Sequence, residues 1–176
     1  MIDEKMDLSV GPDDQIIEMD IDRLHDFKNH PFKVDADAGM IELKESIEKY
    51  GILTPIVIRP VLDGYYEIIS GHRRKFAAKQ LGYRKVPVII RMLRDDEAVV
   101  AMVDSNLQRE YVSPSEKAFA YKMKYDVLRK DNKKSSRGQI DYNHKGKRTV
   151  QVLVEEYGES PKQIQRYLKL ADIVTI

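Results

Sequence analysis

Glu67-Ile68-Ile69-Ser70-Gly71-His72-Arg73-Arg74-Lys75-Phe76-Ala77-Ala78 is the stretch from which the fold can be read. Tyr65 to Ile69 is aromatic and β-branched and reads as a short strand. Ser70-Gly71 is a turn and an N-cap. From His72 the pattern becomes helical. Phe76, Ala77, Gln80 and Leu81 recur at three- and four-residue spacing, and Gly82 closes the helix. A glycine and two arginines therefore stand at the first turn of a helix that follows a strand. The amides of such a turn attract anions. Arg73 and Arg74 add planar donor forks suited to phosphate. Two readings stay open here: a phosphate cradle, or an exposed basic turn tolerated against the helix dipole.

The chain around this stretch has 176 residues, enough for one or two domains. With 42% hydrophobic residues it can bury a core. Its formal charge of +1 hides an asymmetry. Residues 1–30 carry nine acids and three bases, 71–91 carry seven bases and no acid, and 131–148 carry six bases and two acids. Segregated charge points to a polyanionic partner, with ordinary solvated surface as the alternative. The sequence has no cysteine, which excludes disulfides, thiolate catalysis and cysteine-ligated zinc. His25, His30, His72 and His144 lack metal-ligand spacing. No apolar run approaches the ~20 residues of a membrane span. The expectation is a cytoplasmic protein with no membrane partner.

Upstream, residues 1–14 read as a disordered acidic tail. Gln15 to Met19 reads as a strand, and Asp20 to Pro31 as a turn or short helix and a polar loop. Ala38 to Tyr50 reads as a helix with Ile41, Leu43, Ile47 and Tyr50 on its apolar side and Gly51 just past its end. Pro55 to Arg59 is a strand, joined by an Asp63-Gly64 hairpin to Tyr65–Ile69. Val86 to Ile90 is another strand with an early proline. This is a small mixed α/β domain over residues 15–110.

Downstream, Asp95-Asp96-Glu97 opens a helix in agreement with the dipole. Ser113-Pro114-Ser115-Glu116 starts the next, with a serine cap, proline at the first helical position and glutamate two residues on. That helix runs to about Lys130 and packs through Ala118, Ala120, Tyr121, Met123, Val127 and Leu128. Residues 131–148 read as a basic loop, in which Lys133, Lys134, Arg137, Lys145, Lys147 and Arg148 either touch phosphate or face solvent. Thr149 to Tyr157 is a helix, Gly158 a turn, and Ser160-Pro161 caps a last helix through Leu170. Val154, Gly158 and Ile164 have helix-turn-helix spacing. Lys162, Gln163, Gln165, Arg166 and Lys169, with no acid between Pro161 and Leu170, are types that read bases and phosphates. Residues 111–176 are thus expected to be an all-helical DNA-binding domain.

Gly51 to Pro60, Ser70 to Ala78, Asn106-Leu107-Gln108-Arg109-Glu110 and Ser113 to Ala118, in this order before the helix-turn-helix, resemble the ParB family of partition proteins, in the superfamily that includes sulfiredoxin. The resemblance covers roughly residues 15 to 172. It implies an α+β fold: a ParB/sulfiredoxin-like N-terminal domain, then a helical DNA-binding domain. It implies CTP and Mg2+ as ligands, a clamp that slides on double-stranded DNA, and slow CTP hydrolysis in many members. It implies a homodimer in a longer form of the chain and a ParA-type ATPase as partner. By it, Thr54 and Pro55 lie near base and ribose. Gly71, His72, Arg73 and Arg74 hold the triphosphate, Asn106 approaches the metal, and Gln108 and Arg109 tie the pocket to the following helices.

Two departures qualify that transfer. His72 and Ser105 stand where the family usually has glutamate. A lost carboxylate weakens magnesium binding and water activation, so binding is expected ahead of hydrolysis. His72 could donate to phosphate when protonated, or cap or pack. The nucleotide reading also requires the amides and guanidinium groups of residues 71–74 to face an open pocket. Two alternatives remain: a nucleotide-dependent small-molecule kinase of the superfamily, and a transcriptional regulator that has lost nucleotide binding.

Overall fold

The computed structural model describes residues 8, 11, 14–32, 34, 36–109, 111–135 and 149–174, of which 131–135 by backbone alone. Most of the expected acidic tail over 1–14 lies outside the described residues, as do Arg137, Lys145, Lys147 and Arg148 of the basic loop. The chain divides into two compact units, with the boundary between Met102 and Val103. That boundary falls inside a helix, upstream of the residue 110 expected from the sequence.

The N-terminal unit is a five-stranded mixed sheet in the order β1-β5-β3-β4-β2, with helices α1 and α2 and the first part of a third helix. The strands are β1 (Ile17–Asp20), β2 (Leu24–His25), β3 (Ile56–Pro60), β4 (Tyr66–Ser70) and β5 (Lys85–Ile90). β3 and β4 form the antiparallel hairpin, with Ile58 opposite Ile68. Asp63 and Gly64 both take positive φ at its tip, as an Asp-Gly hairpin requires. β3 runs parallel to β5, and β1 pairs antiparallel with β5. The two-residue β2 lies in the stretch read as loop and pairs parallel with β4. So short a strand carries no periodicity; its partner, not its sequence, makes it a strand.

Ile56, Ile58, Ile68, Val86 and Val88 are buried in a core with Met19, Ile21 and Leu24. A second cluster forms where α1 (Ala38–Tyr50) packs on α2 (His72–Gln80) through Met40, Ile47 and Ala77. Met40, Leu43 and Ile47 are the inward residues of α1, whereas Ile41 and Tyr50 are mostly exposed. Leu43 and Ile47 thus face inward as expected, and Met40 takes the place expected of Ile41. Asp37 caps the helix three residues before Met40.

The other unit is helical. It holds the end of α3 (Asp95–Leu107), then α4 (Pro114–Ser135), α5 (Thr149–Tyr157) and α6 (Pro161–Val174). The capping box at Ser113 forms in full: Glu116 N–H donates to the serine Oγ, and Ser113 N–H to the Glu116 carboxylate (2.9 Å). α4 continues past Lys130 to Ser135, because Asp-Asn-Lys-Lys-Ser contains no glycine or proline to stop it. Tyr121, Leu128, Val152, Leu153 and Ile164 form its core. α6 also runs beyond Leu170, to Val174.

Candidate functional site

Gly71 joins β4 to α2 with φ of 110°, a conformation open to glycine and strained for other residues. A Cβ there would meet the Arg74 guanidinium and Ile56 at 3.2 Å. The first bond of the helix ladder runs from Lys75 N–H to Gly71 O (3.0 Å). The amides of residues 72–74 therefore come before that ladder and lie at the positive end of the helix dipole.

The four side chains of this turn are held by the N-terminal unit itself. Arg74 donates to the carbonyl oxygens of Thr54 and Pro55, the latter at 2.6 Å. Burial pulls its pKa below the ordinary guanidinium value. Arg73 makes a two-point pair with Asp37, at 2.7 and 3.1 Å. Lys75 donates to Asp26 (2.9 Å). The His72 ring is buried and its Nε2 accepts from Phe27 N–H (3.3 Å), which leaves the ring proton on Nδ1. The ring lies 3.8 Å from that of His30.

The structure brings Thr54, Pro55, Gly71, Arg73 and Arg74 together and engages both guanidinium groups. They are tied to a carboxylate and to carbonyl oxygens. The His72 ring packs inward, so its share in an anion site is its backbone amide. Sequence reading missed Asp26 and Asp37 as partners. Asp37 was legible as a cap just ahead of a helical pattern, but its second role needs the chain to fold back.

Of the seven bases in residues 71–91, three form ion pairs: Arg91 with Asp14, Lys75 with Asp26 and Arg73 with Asp37. Glu67, the first residue of the quoted stretch, is also internal. It accepts from Arg59 (2.7 Å) and from Lys28 N–H (3.0 Å), which fixes the backbone beside Phe27.

Asn106, Gln108 and Arg109 belong to the helical unit, and Gly71 to the N-terminal one. Asn106 is buried and its amide lies 3.4 Å from Ser105 Oγ. Gln108 is exposed and Arg109 half-buried. Among the described residues no three of His, Cys, Asp and Glu gather as metal ligands.

α5, Gly158 (φ 67°) and α6 form two helices around a tight turn. Ile164 and Ala171 point inward, while Lys162, Gln165, Arg166 and Lys169 are exposed. Gln163 is exposed too and also serves the helix start. Its Oε1 accepts from Ser160 Oγ (3.0 Å) and Ser160 N–H (3.3 Å), closing a capping box. Its amide builds the start of α6.

The strand-turn-helix at Gly71 lies within residues 7–107, which match the sequence model of the ParB N-terminal domain. The chain belongs to the ParB N-terminal domain family. Nucleoid occlusion proteins of Bacillus thuringiensis (strain Al Hakam) and Bacillus mycoides (strain KBAB4) are each 41% identical to it over 108 residues, 61% of this chain and 37% of theirs. The match thus spans little more than a third of those relatives. C-terminally truncated ParB of Caulobacter crescentus complexed with CTP-γ-S is 26% identical with a TM-score of 0.50, covering 88% of this chain and 77% of that one. The same protein complexed to the centromeric parS site is 25% identical with a TM-score of 0.55, covering 86% and 70%. A pNOB8-like ParB N-domain, 14% identical with a TM-score of 0.62 over 88% and 68%, shares the fold. No helix among the described residues is long and apolar enough to cross a membrane.

Proposed function

We propose that this ParB family chain is a DNA-binding protein of plasmid or chromosome partition, or of a mobile element, acting at the nucleoid or plasmid. The observation that carries it is α6. Its outer side presents Lys162, Gln165, Arg166 and Lys169 while Ile164 and Ala171 anchor the opposite side. A helix held by a tight turn and rich in cations and amides is suited to the major groove. A salt titration tests this. Binding of duplex DNA should weaken steeply between about 50 and 200 mM salt, through loss of phosphate contacts. Binding that is absent or indifferent to salt would overturn it.

The finer reading is a CTP-dependent clamp. Its support is family membership, the relative crystallised with CTP-γ-S, and the left-handed Gly71 that places three amides at a helix start. The Arg73–Asp37 pair is partly exposed, and exposed pairs contribute little, so a phosphate can take the place of the carboxylate. Thr54 and Pro55, whose carbonyls accept from Arg74, would lie near base and ribose. Magnesium would be held mainly by phosphate oxygens, and roles for Asn106 at the metal and for Gln108 and Arg109 rest on the family resemblance alone. Binding without efficient hydrolysis is proposed, since the His72 ring is turned inward. A homodimer in a longer form and a ParA-type ATPase belong to the same proposal. Calorimetry with CTP, ATP and GTP tests the nucleotide. Failure to bind would favour a transcriptional regulator, a reading supported by the internal pairing of Arg73, Arg74 and His72.

A further inference from the structure

The Asp37 carboxylate occupies the position at Arg73 that an anion would take. Both of its oxygens meet the guanidinium, at 2.7 and 3.1 Å, in the fork-to-fork geometry that also suits phosphate. The same carboxylate accepts from Met40 N–H (2.8 Å) and so caps α1. Asp37 is therefore held at the meeting of one helix start with the first turn of another. A neighbouring cation of that turn is matched in the same way: Lys75 pairs with Asp26.

We propose that Asp37 is an internal competitor that sets the affinity of the α2 first turn for polyphosphate. This rests on the nucleotide reading above and adds to it a residue that determines strength and selectivity. A tethered carboxylate has an effective concentration on the order of millimolar or more. A single phosphate at lower concentration exchanges poorly with it. A triphosphate, which carries more charge and also reaches the amides beside Gly71, can displace it.

Asp37→Asn is the informative variant, because asparagine caps a helix as well as aspartate does while removing the charge that holds Arg73. The ligands are Mg·CTP and inorganic triphosphate, measured by calorimetry or fluorescence competition on wild type, Asp37→Asn, Arg73→Ala and the double variant. Thermal melts verify that each is folded. Asp37→Asn should bind both ligands about two- to fivefold more tightly, and the gain should vanish in the Arg73→Ala background. Unchanged or weaker triphosphate binding by a folded Asp37→Asn would overturn the inference. An equal gain without Arg73 would also overturn it, since the charge would then act generally. Triphosphate binding that responds to Asp37→Asn without any CTP binding would sink the nucleotide reading and keep the competitor. No binding of either ligand by any variant would sink both.

Discussion

Lys124 Nζ lies 2.7 Å from Asp104 Oδ1, and the lysine side chain is only 2% exposed. Glu156 stands at 2.7 Å on the same ammonium, and Lys124 donates to Tyr157 Oη at 3.0 Å. Tyr157 in turn donates to Asp104. One buried cation thus joins the end of α3, the middle of α4 and the end of α5. The tyrosine's pKa is raised by burial first, and then by the Asp104 charge. Removing one partner of such a cluster leaves the others uncompensated. Lys124→Met should destabilise the helical unit by about 3 kcal/mol or more. Urea unfolding followed by circular dichroism measures it. A loss below about 1 kcal/mol would show that water or side-chain motion relieves the two carboxylates.

Gln163 and Arg166 should separate on mutation. Gln163→Ala removes a cap and should cost about 1 kcal/mol of stability, with little change in DNA sequence preference. Arg166→Ala should leave the melting temperature near wild type and weaken DNA binding. Melts and anisotropy titrations on the same preparations distinguish them. A Gln163→Ala variant with altered base preference would return that residue to the reading surface.

Lys162 and Lys169 are exposed cations on α6. If they touch phosphates, each alanine substitution should lower the salt slope of DNA binding by about 1, uniformly across sequences. Gln165→Ala should instead relax preference at one position. The slopes of log K against log salt decide between the two.

Arg73→Ala should weaken nucleotide binding about tenfold or more while DNA affinity without nucleotide stays mostly intact, because Arg73 lies in the N-terminal unit and α6 in the helical one. Equal loss of both would mean that they are not housed separately. Calorimetry and an electrophoretic shift read the two functions.

Acid should weaken the N-terminal unit in a defined range. Asp14 and Asp37 are held below the usual carboxylate value of 3.8 chiefly by their hydrogen bonds to Arg91 and Arg73. Asp26 is pushed up by burial, but the Lys75 bond and nearby positive charge outweigh that and leave it lowered. A depressed carboxylate stabilises the fold above its unfolded pKa and loses that contribution as pH falls through its folded value. These three therefore contribute fully above about pH 5 and progressively less below about pH 4. Melting temperatures across this range should fall less steeply in Asp26→Asn than in wild type.

Much was legible in the chain because the decisive signals are local. The bounds of α1, the Asp63-Gly64 tip, the Ser113 box and the glycines after α1, α2 and α5 follow from backbone preferences that each residue carries wherever it sits. Ile56–Ile58 and Ile68–Ile69 read as strands for the same reason. The strand-turn-helix at Gly71 and the order of the motifs pointed to the ParB family before any coordinates.

Other features exist only once distant segments meet. β2 depends on β4, since two residues have no pattern to show. Lys124 looks like a solvated helix lysine until Asp104, 20 residues earlier, and Glu156 come within reach of it. Arg73 meets Asp37 only because the fold brings the start of α1 to it across 36 positions. A sequence states how many charges a segment carries; the fold decides which of them face each other, because electrostatic attraction acts through space and not along the chain.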